Sequence, residues 1–289
     1  MNRKAKGWTR REFIAAAGTL SAAQWMPGSL GAGVAGKQIP VGLELYSVRE
    51  SLKKDAKATV RAVAAMGYQC VEFYAPYFDW TEDETKDMRK LLDDLDVRCY
   101  STHNHPANLQ PENQNKLLER SKILGVKYAV VASADRTWDA AAWKTYAGVL
   151  NDAAERLEPH DLKVGYHNHQ AEFVAKDGVR PMDILAKNTR PSVVLQLDVG
   201  TCIEAGSDPV KWIEANPGRI RSIHCKDWSP TAGYGGTWGE GAADWKAIFA
   251  AAESVGGVEY YLIEKEVVQA SEFEDARVTL ASFRKIKGD

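Results

Sequence analysis

Apolar and polar positions along this chain follow two rhythms. Short β-branched runs, apolar throughout or at every second residue, give way to longer stretches where apolar residues return every three or four positions. The first rhythm belongs to strands and the second to amphipathic helices. Strands are predicted at VGLELYS (41–47), YQCVEFY (68–74), VRCYSTH (97–103) and VKYAVVAS (126–133). Four more are predicted within LKVGYHNHQAEF (162–173), VVLQLDVGT (193–201), IRSIHCKDW (220–228) and VEYYLIEKEV (258–267). Helices are predicted over 55–66, 82–95, 111–124, 139–158, 181–188, 208–215, 243–255 and 271–286, with Gly67 and Gly125 as stop signals. Eight strand–helix units joined by short links require parallel strands and crossovers. The expected fold is α/β: a single-domain (β/α)8 TIM barrel.

The polar positions that interrupt the strands sharpen this picture. On a strand, residues i and i+2 share a face. Glu44 and Tyr46 therefore oppose Leu43 and Leu45, and Glu72 opposes Val71 and Phe73. Gln196 and Asp198 oppose Leu195 and Leu197, His224 and Lys226 oppose Ile223 and Cys225, and Glu264 and Glu266 oppose Ile263. The apolar set suits the helix layer and the polar set the barrel axis. The last four stretches also end in carboxylate, imidazole or ammonium, and the C-terminal ends of barrel strands form the face that carries chemistry.

Buried together, such groups are costly unless they hold an ion. Asp198, His224 and Glu264 are the metal-ligand candidates, competing with a helix cap, a core histidine and an ion pair with Lys226. His167 is the favoured fourth ligand and Glu172 the alternative. Imidazole with carboxylate suits one divalent ion: Mn, Co, Zn, Fe or, less well, Mg. His103 and His105 form a second HxH pair, assigned to substrate binding. Glu264, Glu172 and His169 are the proton-transfer candidates, and Lys226 the group that binds a hydroxyl or stabilises an enolate. GYGGTWGEG (233–241) lacks the Gly-Lys-Ser/Thr ending of a phosphate loop. It is expected to be a lip over the pocket, with Trp238 stacking on a sugar and Glu240 as a polar contact. Asp227 is expected to order that loop, and Asp244 to cap a helix.

Composition adds three constraints. The formal net charge of -2 gives no electrostatic case for nucleic acid or an anionic membrane. Residues 1–36 carry a basic start, Arg10-Arg11 ahead of Phe13-Ile14, an Ala-rich run and small residues before Gly36. This is the pattern of a twin-arginine export signal, so a periplasmic or otherwise exported barrel over 37–289 is expected. Cys70, Cys99, Cys202 and Cys225 have no CxxC spacing and are expected to be buried free thiols.

Taken together, GLELYSVRE (42–50), YHNHQAEF (166–173), LDVG (197–200), GSDPVKWIEANPGRI (206–220), HCKD (224–227), GEG (239–241) and IEKE (263–266) resemble the xylose isomerase-like TIM-barrel family. This is the sugar phosphate isomerase/epimerase group related to endonuclease IV, and the resemblance covers about residues 39–286. It implies one divalent metal held by Glu, Asp, His and Glu on the last four strands. Asp198, His224 and Glu264 match three of these, and His167 stands where the first Glu aligns. The implied activity is a sugar isomerase or epimerase working through an enediolate on a keto sugar or polyol. Loss of a leaving group from the same intermediate would make a lyase or dehydratase. Export favours an unphosphorylated or oxidised sugar. The competing classes are a non-catalytic sugar-binding barrel and an endonuclease IV-like nuclease. The expected partner is a small sugar, with no nucleic acid, no membrane once the signal is removed, and scope for a homo-oligomer.

Overall fold

The computed structural model describes residues 38–134, 139–176 and 178–288; the expected export signal lies outside them. Eight parallel strands are β1 (Val41–Glu44), β2 (Cys70–Glu72), β3 (Ser101–Asn104), β4 (Tyr128–Val131), β5 (Lys163–His167), β6 (Val194–Asp198), β7 (Ser222–Cys225) and β8 (Tyr260–Ile263). They run in the order β2-β1-β8-β7-β6-β5-β4-β3. Bridges between Cys70 and Arg98 and between Phe73 and Thr102 join β2 to the approach of β3 and close the ring. The strands are shorter than predicted because the chain leaves the sheet as soon as it reaches the upper rim. Leu45–Val48, for instance, is already a 3-10 turn rather than the end of β1.

The predicted helices are present, several within a residue or two: Glu82–Asp94, Ala140–Leu157, Pro181–Asn188 and Glu272–Lys287. Their starts are chemically marked. Thr81 and Glu84 form a reciprocal capping box, and Ser271 accepts from the Glu274 N–H. Asp244 accepts from the Ala247 N–H, a helix cap as expected. Short helices at Arg49–Lys54, Gln170–Phe173 and Val199–Glu204 were not predicted; each is less than two turns long and too brief to show a period.

Alternation sorts the strand residues into two layers. Leu43, Val71, Val131, Tyr166, Leu195, Ile223 and Ile263 face outward into the shell of helices. Cys70, Tyr128, Val130, Val194, Tyr260 and Leu262 form a separate apolar floor inside the barrel. Glycine makes that floor possible where strands crowd. A Cβ on Gly42 would lie 2.4 Å from Cys70 Sγ, and one on Gly165 would lie 2.5 Å from Val194 Cγ2. Each fully buried Val, Leu or Ile contributes about 1.5–3 kcal/mol, so shell and floor stabilise the barrel. Above the floor the pattern inverts. Glu44, Glu72, His103, His167, Gln196, Asp198, His224 and Glu264 are all buried there. Taking one charge out of water costs several kcal/mol, and pairing repays it at best in part. This layer is not what stability alone would build.

All four cysteines are buried free thiols, as expected. Among the described residues no helix is long and apolar enough to cross a membrane.

Candidate active site and metal centre

Asp198 ends β6 and caps the following helix: its Oδ1 accepts from the Thr201 N–H at 2.9 Å. Its Oδ2 is buried and accepts no hydrogen bond among the described residues. That oxygen lies 3.9 Å from His167 Nε2 and 3.4 Å from Lys226 Nζ. The cap and ligand assignments, alternatives in the sequence, are thus divided between the two oxygens of one carboxylate. Asn168 holds the Asp198 backbone from both sides, accepting from its N–H at 3.0 Å and donating to its carbonyl at 3.2 Å.

His224, on the neighbouring strand, hydrogen-bonds Glu264 Oε2 through Nδ1 at 2.6 Å and Glu72 Oε2 through Nε2 at 2.7 Å. Burial works against charging this ring, but the bonds and charges of Glu264 and Glu72 outweigh it and carry the pKa up to about 10. His167 has no such carboxylate bond. Burial first, then the neighbouring imidazoles, hold its pKa well below the ordinary value. Burial also opposes ionisation of Glu264, yet Lys226 and His224 keep its pKa well below the usual carboxylate range. The Lys226 ammonium lies 3.6 Å from Glu264 Oε1 and bonds Glu266, so carboxylates surround it on three sides.

One ligand atom each from His167, Asp198, His224 and Glu264 can be chosen so that all lie within 4.8 Å of one another. Two ligands that share a Zn-like ion sit at most about 4 Å apart, so modest side-chain adjustment brings the set onto one ion. The fit rests on the buried Asp198 Oδ2, which accepts no hydrogen bond among the described residues, and on a donor set of two imidazoles and two carboxylates, which suits a divalent transition metal. Whichever His224 nitrogen turned to an ion, the other would keep a carboxylate partner, the arrangement that orients metal-bound histidines.

A cavity of about 600 Å³ opens beside the cluster. His103, His105, His167, His169 and Glu264 all line it, so the structure brings these predicted residues together. Glu44, Tyr46, Tyr74 and Glu266 join them and were not singled out as site residues. Three other predicted residues go elsewhere. Glu172 turns away: Oε1 accepts from the Tyr166 hydroxyl and Oε2 from the His169 N–H, both at 2.9 Å. Tyr166 packs against Trp143 and Tyr146 in the helix shell, so Glu172 is spent on local structure. Glu240 is exposed and lines a separate small hollow with Asp227 and Trp228. Trp238 is only 4% exposed. It stacks on Trp245 at 4.5 Å and donates its Nε1–H to the Cys225 carbonyl, so it is core rather than a sugar platform.

The loop that carries Trp238 is pinned. Asp227 Oδ2 accepts from the N–H groups of Gly239 and Gly241, at 2.8 and 3.0 Å, so Asp227 orders it as expected. None of residues 233–241 lines the main cavity, but Tyr234, Gly236 and Trp238 line a small hollow with Lys226, Glu264 and Glu266, so the loop borders the site on the Lys226 side. Trp238→Ala is expected to cost about 3–5 kcal/mol of stability through cavity formation. Urea denaturation reads this directly; a sugar platform would instead leave stability within about 1 kcal/mol and raise KM.

A sequence model described as "Xylose isomerase-like TIM barrel" matches residues 60–285. The chain belongs to this family. Over 85 residues it is 33% identical to the rhizopine catabolism protein MocC of Rhizobium meliloti, a match spanning 29% of this chain and 26% of that protein. A sugar phosphate isomerase/epimerase from Parabacteroides distasonis superposes with a TM-score of 0.72 at 25% identity, covering 90% of this chain and 98% of that one. The IOLI protein, solved with a bound zinc atom, superposes with a TM-score of 0.65 at 17% identity, covering 86% and 98%. That last likeness is one of fold.

Proposed function

We propose that this barrel is a divalent-metal-dependent sugar isomerase or epimerase that moves a proton at the carbon beside a carbonyl. The observation that carries this reading is the placement of two proton-accepting groups, Glu264 and His169, on the wall of one cavity beside the four-residue cluster. A divalent ion held by His167, Asp198, His224 and Glu264 would polarise the carbonyl and make the neighbouring C–H more acidic. The remaining work falls to side chains. Glu264, held ionised by Lys226 and His224, takes the proton. His169, which also lines the cavity, takes it or returns it from another direction. Burial lowers the His169 pKa, which keeps the ring neutral and able to accept. His103, His105 and Tyr46 supply hydroxyl contacts.

Among the described lining residues there is no lysine or arginine, while Glu44, Glu264 and Glu266 contribute carboxylates. A phosphate ester would find no cationic anchor in such a wall. This supports an unphosphorylated keto sugar or polyol. A second reading is a lyase or dehydratase, in which the same proton abstraction is followed by loss of a β-leaving group. Proteins sharing this fold include epimerases and a probable dehydratase, which favours keeping it.

The test is NMR of metal-loaded protein with unphosphorylated ketoses in D2O. Deuterium uptake beside the carbonyl is expected, slowed about 10²-fold or more in His169→Ala. No uptake into any ketose would remove the reading. We further propose that residues 1–36 direct export by the twin-arginine route. Replacing Arg10 and Arg11 with Lys should leave the protein in the cytoplasm on cell fractionation; undiminished periplasmic protein would contradict this.

A further inference from the structure

One buried amide ties the site together, and its hydrogen bonds fix where the protons lie. Gln196 is wholly buried on β6, two residues before Asp198. Its Nε2 lies 3.0 Å from Glu72 Oε1 and 3.0 Å from Ser222 Oγ. Its Oε1 lies 2.7 Å from His103 Nε2 and 3.1 Å from His167 Nδ1.

An amide of this kind can in principle be turned over, so its orientation has to be argued from its partners. Glu72 decides it. His224 Nε2 and His103 Nε2 reach the other oxygen of Glu72, at 2.7 and 3.1 Å. Turned over, the amide would put its oxygen against Glu72 Oε1 and leave a His103 Nε2 lone pair facing Glu72 Oε2; relieving both would take a proton on each oxygen, and a carboxyl group carries at most one. The group facing Glu72 from Gln196 is therefore the NH2. The amide oxygen must then face the two imidazoles, and an oxygen there requires N–H on His167 Nδ1 and on His103 Nε2. A neutral imidazole carries one proton. With that proton on Nδ1, the His167 lone pair is on Nε2, the nitrogen that looks across 3.9 Å at Asp198 Oδ2.

We propose that Gln196, oriented by Glu72 and Ser222, is a positioning residue that holds His167 in its Nδ1–H tautomer and so makes Nε2 a metal ligand. The family pattern implies a glutamate at this place. A carboxylate offers a lone pair from either oxygen, whereas an imidazole offers one only in the correct tautomer. Using histidine here therefore calls for a fixed acceptor behind it, and Gln196 provides one. The ligand half of this proposal rests on the metal-centre reading above; the tautomer half does not.

The experiment has two arms. In metal-free wild-type protein, long-range ¹H–¹⁵N NMR of the imidazoles, with His167→Asn to assign the resonance, is expected to show His167 protonated on Nδ1. A spectrum dominated by the Nε2–H tautomer overturns the proposal. In the second arm, Zn²⁺ affinity is measured by competition with a chromophoric chelator. Gln196→Met keeps the volume and removes both sets of hydrogen bonds, and is expected to weaken Zn²⁺ binding about 10–100-fold. Gln196→Glu restores an acceptor for His167 and is expected to recover part of that loss. Affinity within about twofold of wild type in a folded Gln196→Met protein overturns the proposal. If Gln196→Met does not fold, the wild-type tautomer decides. If wild-type protein binds no Zn²⁺, the metal-centre reading and the ligand half fall together, while the NMR arm still decides the tautomer.

Discussion

With metal supplied to saturation, Glu264→Gln is expected to lower turnover by about 10²–10⁴-fold, the usual cost of losing a general base, while substrate binding survives. Gln keeps the size of the side chain and one oxygen in place, but it cannot take a proton. Two neighbours hold the carboxylate ionised: His224 Nδ1 at 2.6 Å from Oε2 and Lys226 Nζ at 3.6 Å from Oε1. Both favour the ionised form, which is the form that accepts. Solvent-deuterium exchange at the substrate carbon should stop together with turnover. If Glu264→Gln exchanges at the wild-type rate, the base is His169, since Glu172 is committed to Tyr166 and the His169 backbone. The His169→Ala exchange assay then becomes the deciding measurement.

Asp198→Asn is expected to abolish metal retention without unfolding the barrel. The amide oxygen of Asn can still accept from the Thr201 N–H, so the cap on Val199–Glu204 is preserved. What disappears is the charge and the acceptor on Oδ2, an atom that accepts no hydrogen bond among the described residues and has the Lys226 ammonium 3.4 Å away. Loss of an outer partner of a metal ligand costs about 10–100-fold in affinity, so loss of a ligand should exceed that. His224→Ala should act likewise. Elemental analysis after dialysis reads occupancy, and thermal melting with and without added metal reads linkage, because a bound ion raises the stability only of a protein that holds it. Full occupancy in both variants would remove the site as drawn.

Much of this site was visible before the fold was. Asp198, His224 and Glu264 stand at or just past the ends of three consecutive strands, in register with the inward face, and a parallel barrel sends all such positions to one rim. His167 follows from the same rule on the strand before. Glu72 and Gln196 were visible too, as polar residues opposing apolar ones, but their role was not. The bond between them joins residues 124 positions apart, and nothing local to either announces it.

The misassignments share one cause. Trp238 lies in a glycine-rich loop, and local sequence suggests an exposed aromatic. The loop instead folds back so that the indole stacks on Trp245 and packs near Phe283 from the last helix. Glu172 sits five residues beyond His167, close enough in sequence to share its site. A single helical turn reverses its direction and hands both oxygens to structural donors.

By itself the sequence determined the class of fold, the number and order of strand–helix units, and which side of each strand faces the axis. Those depend on periodicity and on caps, which act over a few residues at a time. Only the tertiary structure decided which polar side chains meet. Closure of the ring sets the angle at which each strand arrives, and a turn of one loop residue moves a side chain from the cavity to the core. The partners of Gln196, the neighbours of Asp198 Oδ2 and the burial of Trp238 are products of that closure.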